Sequence, residues 1–349
     1  MPFRAARALA AALCASLPLF VLGAPDTCDD TTLQHEVVAW VVAHGGSFHP
    51  HQEFRRRVPG DPASPFGVFA SAEIEEGALL ARVPWACVVA DPAGPGAFVK
   101  EYAQGYRDFH CEAGQYLAAE MRAGAGSVYA PYAAYLVAQE AEQKIPSAWS
   151  SAGRELLAEA VGPLVPPDGT GLVDLWRKQC RIEEDAGGYE ERAMLEMYGR
   201  GDDGALIPLL DLYNHARNGG NNGRFKTEIG VKGEFYATRA IQVGEEISYD
   251  YTQPEEGAPA TYRSYNLQTY YGTPEFLRDH GFVGALPHRW VFDTRNIWFD
   301  NDVAADGTHT IAWGMEPSAG DVGFLREELA RLRDVALPRL DAPGKDEVP

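Results

Sequence analysis

The chain has 349 residues, of which 46% are hydrophobic and 23% charged, enough apolar content for one large core or two modest ones and too much for a largely disordered chain. Lys+Arg 30 against Asp+Glu 50 leaves a formal charge of -20. Such a field repels phosphate backbones and attracts basic surfaces, which excludes nucleic acid as the main partner and favours a protein with a basic surface.

In chain order, Arg4 and Arg7 precede an apolar run from Ala8 to Leu22 that ends in Gly23 and Ala24. A positive start, a short apolar stretch and small residues at its end predict a secretory leader over residues 1–24. Cleavage fits after Gly23 or Ala24, with Pro25 disfavouring the latter. The run is too short for a comfortable membrane span and no second candidate follows, so no span is expected once the leader is gone. The same leader can open a plastid address; otherwise it directs the chain to the endomembrane lumen or outside. Beyond it, Cys28, Cys87, Cys111 and Cys180 are compatible with two disulfides or with free thiols. None has C-x-x-C spacing, so no metal site is expected.

Thr32 to His44 carries apolar residues at helical spacing and stops at Gly45-Gly46. Short strand-like runs follow at Phe66 to Ala70, Ala78 to Val83 and Cys87 to Val89. Helical periodicity then takes over in Phe98 to Phe109, Tyr116 to Met121, Tyr129 to Ala138, Ala152 to Val161, Leu172 to Ile182 and Tyr189 to Met197. Strand character returns in Phe225 to Val231, Gly233 to Thr238 and Glu246 to Tyr251, with turns read at Lys232-Gly233 and Gly244. Trp290 to Phe292, Ile297 to Phe299 and Thr308 to Trp313 are further strands, and Asp321 to Val335 is a last amphipathic helix. Strands, then helices, then strands predict an α+β chain in which a helical insert splits a β domain, or else two domains.

Two stretches carry the chemistry. One is Ile207-Pro-Leu-Leu-Asp-Leu-Tyr-Asn-His-Ala216, and the other is Gly244-Glu-Glu-Ile-Ser-Tyr-Asp-Tyr251. With Pro65 to Ala70, Ile74 to Leu80, Val83-Pro84, Ser127 to Tyr132, Pro146 to Trp149 and His280-Gly-Phe-Val283, they occur in an order that resembles the SET-domain family. The branch they resemble is typified by the Rubisco large-subunit lysine methyltransferase. The resemblance implies a SET-type β-clip core of short antiparallel strands in two parts, 31–97 and 199–283. A helical insert at 98–198 separates them, and a short α/β extension at 284–349 follows.

It further implies a protein N-methyltransferase that uses S-adenosylmethionine (AdoMet) and acts on lysine, as a monomer. Cofactor contacts would come from Ser64, Phe66, Gly67, Asn214 and His215, with Arg200 pairing with the cofactor carboxylate and Asp211 and Tyr251 alongside. Arg200 as a solvated loop arginine and Asp211 as a backbone cap are the structural alternatives. Tyr251 would be the catalytic hydroxyl and Tyr249 the residue that limits methyl number. Phe225, Tyr271, His280 and Phe282 would line the substrate channel, with Tyr271 a rival for the catalytic position. Pro65 replaces the first glycine of the family's Gly-x-Gly, and His280 stands where the branch usually has a tyrosine. These departures keep two alternatives open: a histidine-directed methyltransferase of the same fold, and a binding module that has lost catalysis.

Overall fold

The computed structural model describes residues 31–61, 64–90, 109–138, 145–146, 149–161, 180, 188–201, 205–217, 219–252, 271–292 and 295–338. The leader, Cys28, residues 98–108 and the helix expected at Leu172 to Ile182, save Cys180, lie outside them.

The first element, α1 (Thr32–Ala43), places Val37 and Val41 on one face, both fully buried, as residues one turn apart must be. Four strands follow: β1 (Ser47–Phe48), β2 (Gln52–Arg56), β3 (Phe66–Ala70) and β4 (Leu79–Pro84). Then come the helices α2 (Phe109–Ala123), α3 (Ala130–Ala138), α4 (Ser151–Val161) and α5 (Tyr189–Arg200). Strand structure resumes with β5 (Asn214–His215), β6 (Gly223–Glu228), β7 (Lys232–Ala237) and β8 (Glu246–Tyr249). A short helix α6 (Thr273–His280) precedes β9 (His288–Phe292), β10 (Ile297–Val303), β11 (His309–Trp313) and α7 (Ala319–Arg331).

Both core sheets are built from the two ends of the split. One has the order β1-β4-β7-β6 and the other β2-β3-β8-β5. The apolar run of β3 is explained by its place between β2 and β8, buried on both faces along Gly67 to Ala70. The helical segment packs onto the same core, since Leu117, Tyr132 and Leu136 are fully buried in one cluster with Val68, Leu80 and Phe235. The third sheet, β11-β10-β9, is capped by α7 through a separate small cluster of Phe292, Ile297 and Phe324.

The structure amends several sequence expectations. Cys87 to Val89 is not a strand: a tight helical turn covers Trp85–Cys87, and Val89 makes one bridge to Leu206. The β6–β7 turn falls at Ile229 to Val231, where Gly230 has φ 79°. Gly233 lies inside β7 because Leu210 packs there, and a Cβ would sit 2.9 Å from its methyl carbon. Strand β8 ends at Tyr249, two residues short of the expectation, so the Tyr251 N–H leaves the ladder. Cys111 and Cys180 form a disulfide, while Cys87 is a free buried thiol, which rules out its use in a second bridge. Helix α6 and strand β2, both polar and short, were not anticipated.

Candidate active site

The turn after Tyr213 enters the second core sheet as a two-residue parallel strand, with Asn214 opposite Ser248 and His215 opposite Tyr249. This pairing sets the two informative sequence stretches side by side. Leu209, just upstream, has φ 70°, a strained value for a branched side chain. Complete burial of that side chain holds it there.

Asn214 spends its amide on two acceptors, the Phe66 carbonyl at 2.9 Å and Glu246 Oε1 at 2.7 Å. Both bonds fix the carboxamide and leave its oxygen free to accept. Glu246 also holds Arg57 at 3.0 Å. Between them runs Gly67, where a Cβ would lie 2.5 Å from Glu246 Oε1 and 3.1 Å from Asn214 Nδ2. Only a glycine leaves room there. Ser64 is buried with each polar group engaged in its own loop: the hydroxyl accepts from the Val58 N–H at 2.8 Å, the N–H donates to Asp61 at 3.1 Å, and the carbonyl accepts from Arg56 at 2.7 Å. Phe66 carries the Arg56 guanidinium 4.3 Å over its ring.

Arg200 ends α5 and is not a solvated loop arginine, with 17% of its side chain exposed. Its Nε donates to Glu196 Oε2 at 2.6 Å, and Nη1 lies 3.5 Å from the Tyr135 hydroxyl and 3.9 Å from Asp211 Oδ2. The Tyr132 hydroxyl donates to the same Asp211 oxygen at 2.7 Å. Asp211 Oδ1 is buried with no hydrogen-bond partner among the described residues. Two carboxylates thus share one guanidinium, and burial pushes the Asp211 carboxyl up to about 6 against the pull of Arg200.

Tyr251 is fixed at both ends. Its N–H donates to His215 Nδ1 at 3.1 Å and its hydroxyl to the Tyr213 carbonyl at 2.9 Å. Burial holds the phenol above the ordinary tyrosine range, and the charges of Arg200, Asp211 and Glu246 all reach it. The hydroxyl is therefore a neutral group with its donor spent and its oxygen lone pairs open. Around it stand Tyr249 at 4.6 Å, His215 and His280 at 5.1 Å, and Phe282 at 6.3 Å between ring centroids. Phe225 packs edge-on against Tyr249 at 4.3 Å. Because His215 Nδ1 accepts, its proton in the neutral ring is on Nε2; burial lowers its pKa to about 4.

The expected channel residues Phe225, His280 and Phe282 meet in this aromatic group, and Tyr271 stands at its edge, 6.3 Å from His280. The Tyr271 hydroxyl, however, is bound to Asp279 Oδ2 at 2.5 Å, in a cluster that includes Tyr198 and Arg278. The Tyr251 hydroxyl, by contrast, is bonded to a backbone carbonyl and not to a carboxylate. Three participants escaped the sequence reading. Glu246 looked like an ordinary strand carboxylate, Tyr213 acts through its backbone carbonyl, and Phe276 (4.2 Å from His215) sits on the unanticipated α6. Among the described residues no cluster of three or more His, Cys, Asp or Glu side chains suits a metal ion, and no helix is long and apolar enough to cross a membrane.

The SET domain family model matches residues 65–252. No curated protein sequence matches the chain. Among solved structures, the SET domain of LSMT bound to lysine and AdoHcy superposes with a TM-score of 0.51 at 11% identity, covering 90% of this chain and 77% of that one. Rubisco LSMT bound to AdoMet gives a TM-score of 0.51 at 12% identity over 88% of this chain and 76% of that one. The LSMT SET domain bound to MeLysine and AdoHcy gives the same score at 12% identity. The fold is theirs, with an α+β core split by helices, and the chain belongs to the SET-domain family.

Proposed function

We propose that the chain is an AdoMet-dependent protein-lysine N-methyltransferase. The observation that carries this reading is the position of Tyr251: its neutral hydroxyl stands in an aromatic group, beside Asn214 and within reach of the Arg200–Asp211 charges. The similar LSMT structures are bound to AdoMet, AdoHcy and lysine, which supports the same ligands here.

The residues fit the cofactor. Asp211 Oδ1 is a buried acceptor without a partner and suits the cofactor amine, while the Arg200 guanidinium suits its carboxylate. Gly67 lets Glu246 and Asn214 close over the backbone, which fixes the Asn214 amide so that its oxygen is set to accept from a ligand. When bound, AdoMet supplies a methyl group on a sulfonium centre.

The protein's part is to deliver a neutral amine in line with that methyl group. A free lysine has pKa ~10.4, so neutralising it at pH 7 costs about 4–5 kcal/mol at ~1.36 per unit. Removal from water among Tyr249, His215, His280 and Phe282, next to the sulfonium charge, disfavours the ammonium form and reduces that cost. Tyr251 does not act as a phenolate base, since burial keeps it protonated. Its oxygen orients the nitrogen and polarises the methyl group through weak C–H···O contact, an alignment effect.

A histidine target is the second reading, favoured by His280 at the wall where the branch has a tyrosine. Secretory entry through the leader, with plastid or lumenal delivery, is part of the proposal, and the Cys111–Cys180 disulfide supports an oxidising compartment. Incubation of the protein with labelled AdoMet and a native lysate tests the activity. Label on protein lysine with the parent and not with Tyr251→Phe is the expected result; no AdoMet binding at millimolar concentration overturns the enzyme reading. Mass spectrometry of the labelled product separates lysine from histidine.

A further inference from the structure

His215 and His280 flank Tyr251 at the same ring separation, 5.1 Å, yet their hydrogen bonds give them opposite faces. His215 accepts at Nδ1 from the Tyr251 N–H. His280 places Nδ1 3.2 Å from the Gly199 carbonyl, which can only accept, so Nδ1 carries the proton. Its Nε2 is then a lone-pair acceptor, and among the described residues nothing donates to it. Phe276 at 5.6 Å and Phe282 at 6.0 Å between ring centroids are neighbours whose side chains have no polar atoms. Burial lowers the pKa of His280, which keeps the imidazole neutral near pH 7.

The half-buried ring leaves Nε2 as an acceptor beside the rings of Tyr251, Phe276 and Phe282, where an incoming donor would complete it. We propose that His280 is a positioning residue whose Nε2 accepts a hydrogen bond from the substrate nitrogen, so that the site prefers amines still carrying N–H. A neutral lysine amine has two N–H bonds and a monomethylated one has a single N–H. A neutral dimethylated amine has none, so the last methylation gains nothing from His280. The Gly199 carbonyl, one residue before Arg200, holds the imidazole in this tautomer and ties the substrate wall to the residue offered to the cofactor carboxylate. This inference rests on the methyltransferase reading above.

Two measurements test it. Nitrogen-15 NMR of the histidine-labelled full chain reads the tautomer directly: Nδ1 protonated and Nε2 bare is expected. A proton on Nε2 overturns this inference and leaves the methyltransferase reading intact. Steady-state kinetics then compare free L-lysine with Nε,Nε-dimethyl-L-lysine as acceptors. In His280→Phe, kcat/KM for lysine should fall about 5- to 10-fold, the scale of one lost hydrogen bond. The value for dimethyllysine should stay unchanged, as should AdoHcy affinity, while the melting temperature should fall because the bond to the Gly199 carbonyl is lost with the imidazole. His280→Gln, whose amide oxygen reaches the same region, should restore part of the lysine preference. Equal losses on both acceptors would indicate a packing role and overturn the proposal. If the parent methylates neither acceptor and binds no AdoMet, the function reading and this inference fall together.

Discussion

The Tyr251 hydroxyl donates to the Tyr213 carbonyl at 2.9 Å, while the Tyr251 N–H reaches His215 Nδ1 at 3.1 Å. One short loop therefore aims both the phenol and its backbone. Tyr251→Phe keeps the backbone link and the ring packing but removes the oxygen proposed to align the reacting groups. Its kcat should fall about 10²-fold, in line with a lost alignment contact. AdoMet affinity should hold, and stability should drop by about 1 kcal/mol for one hydrogen bond. Retention of the parental rate by a folded variant would remove the hydroxyl from the mechanism.

Gly67 separates two effects that are often confounded at a ligand site. A methyl group there would meet Glu246 Oε1 at 2.5 Å and Asn214 Nδ2 at 3.1 Å. Since Glu246 also holds Arg57, it is not free to swing away without breaking an ion pair. Gly67→Ala should displace the Asn214 amide and weaken AdoMet binding at least about tenfold, with a stability loss of about 1–3 kcal/mol from overpacking. Isothermal titration on the folded variant checks the first part and chemical denaturation the second. Unchanged AdoMet affinity would show that the cradle is not part of the cofactor site.

What the residues disclosed, and what they hid, follows from how far each signal is local. Helix α1 and strand β3 were readable because period and burial coincide over a few residues, as at Val37 and Val41. The Asn214-His215 and Tyr251 stretches were readable as a pair because both are short and keep their chain order. Glu246 was not: its bond to Asn214 spans 32 positions, and nothing in Gly244-Glu-Glu marks which carboxylate turns inward. Asp211 and Arg200 were named by the resemblance, but their burial was equally hidden. Their burial depends on Tyr132 and Tyr135 from the helical segment, which only the folded chain brings over them. Helix α6 escaped because two of its three buried residues, Glu275 and Asp279, are acidic and only Phe276 is apolar, so no apolar stripe marks it.

Acid should expose the cost of the buried imidazole. The His215 pKa drops from 6.5 to about 4 because burial penalises its charged form, with Asp250 opposing the shift from 3.9 Å. Between those two values the unfolded chain binds a proton that the folded one refuses, so stability falls as pH drops through that window. Asp211 acts in the other sense. Its pKa rises from 3.8 to about 6, so over that range the folded state binds the extra proton and acidification favours folding. His215→Asn, whose side-chain oxygen can still accept from the Tyr251 N–H, should flatten the acid loss, and Asp211→Asn should steepen it. Urea denaturation at several pH values between about 4.5 and 7 reads both slopes; three parallel curves would contradict the assignment.

The Cys111–Cys180 bridge bears on stability more than on the site. It closes a separation of 69 residues and joins α2 to a point between α4 and α5. Loop-closure entropy for a ring of that size corresponds to about 4 kcal/mol in the unfolded chain, before any native-state adjustment. Non-covalent contacts cover the same junction, because Gln115 donates to the Cys180 carbonyl at 2.8 Å and Gly114 lets Met194 of α5 approach α2 closely. A Cys111→Ala, Cys180→Ala double variant should therefore keep its fold and its AdoMet affinity while losing most of that stabilisation. Reductant should lower the parent's denaturation midpoint and leave the variant's unchanged. Should reductant move neither midpoint, the bridge contributes nothing to the stability of this chain; should it abolish AdoMet binding in the parent alone, the bridge instead holds α5, and with it Arg200, in place.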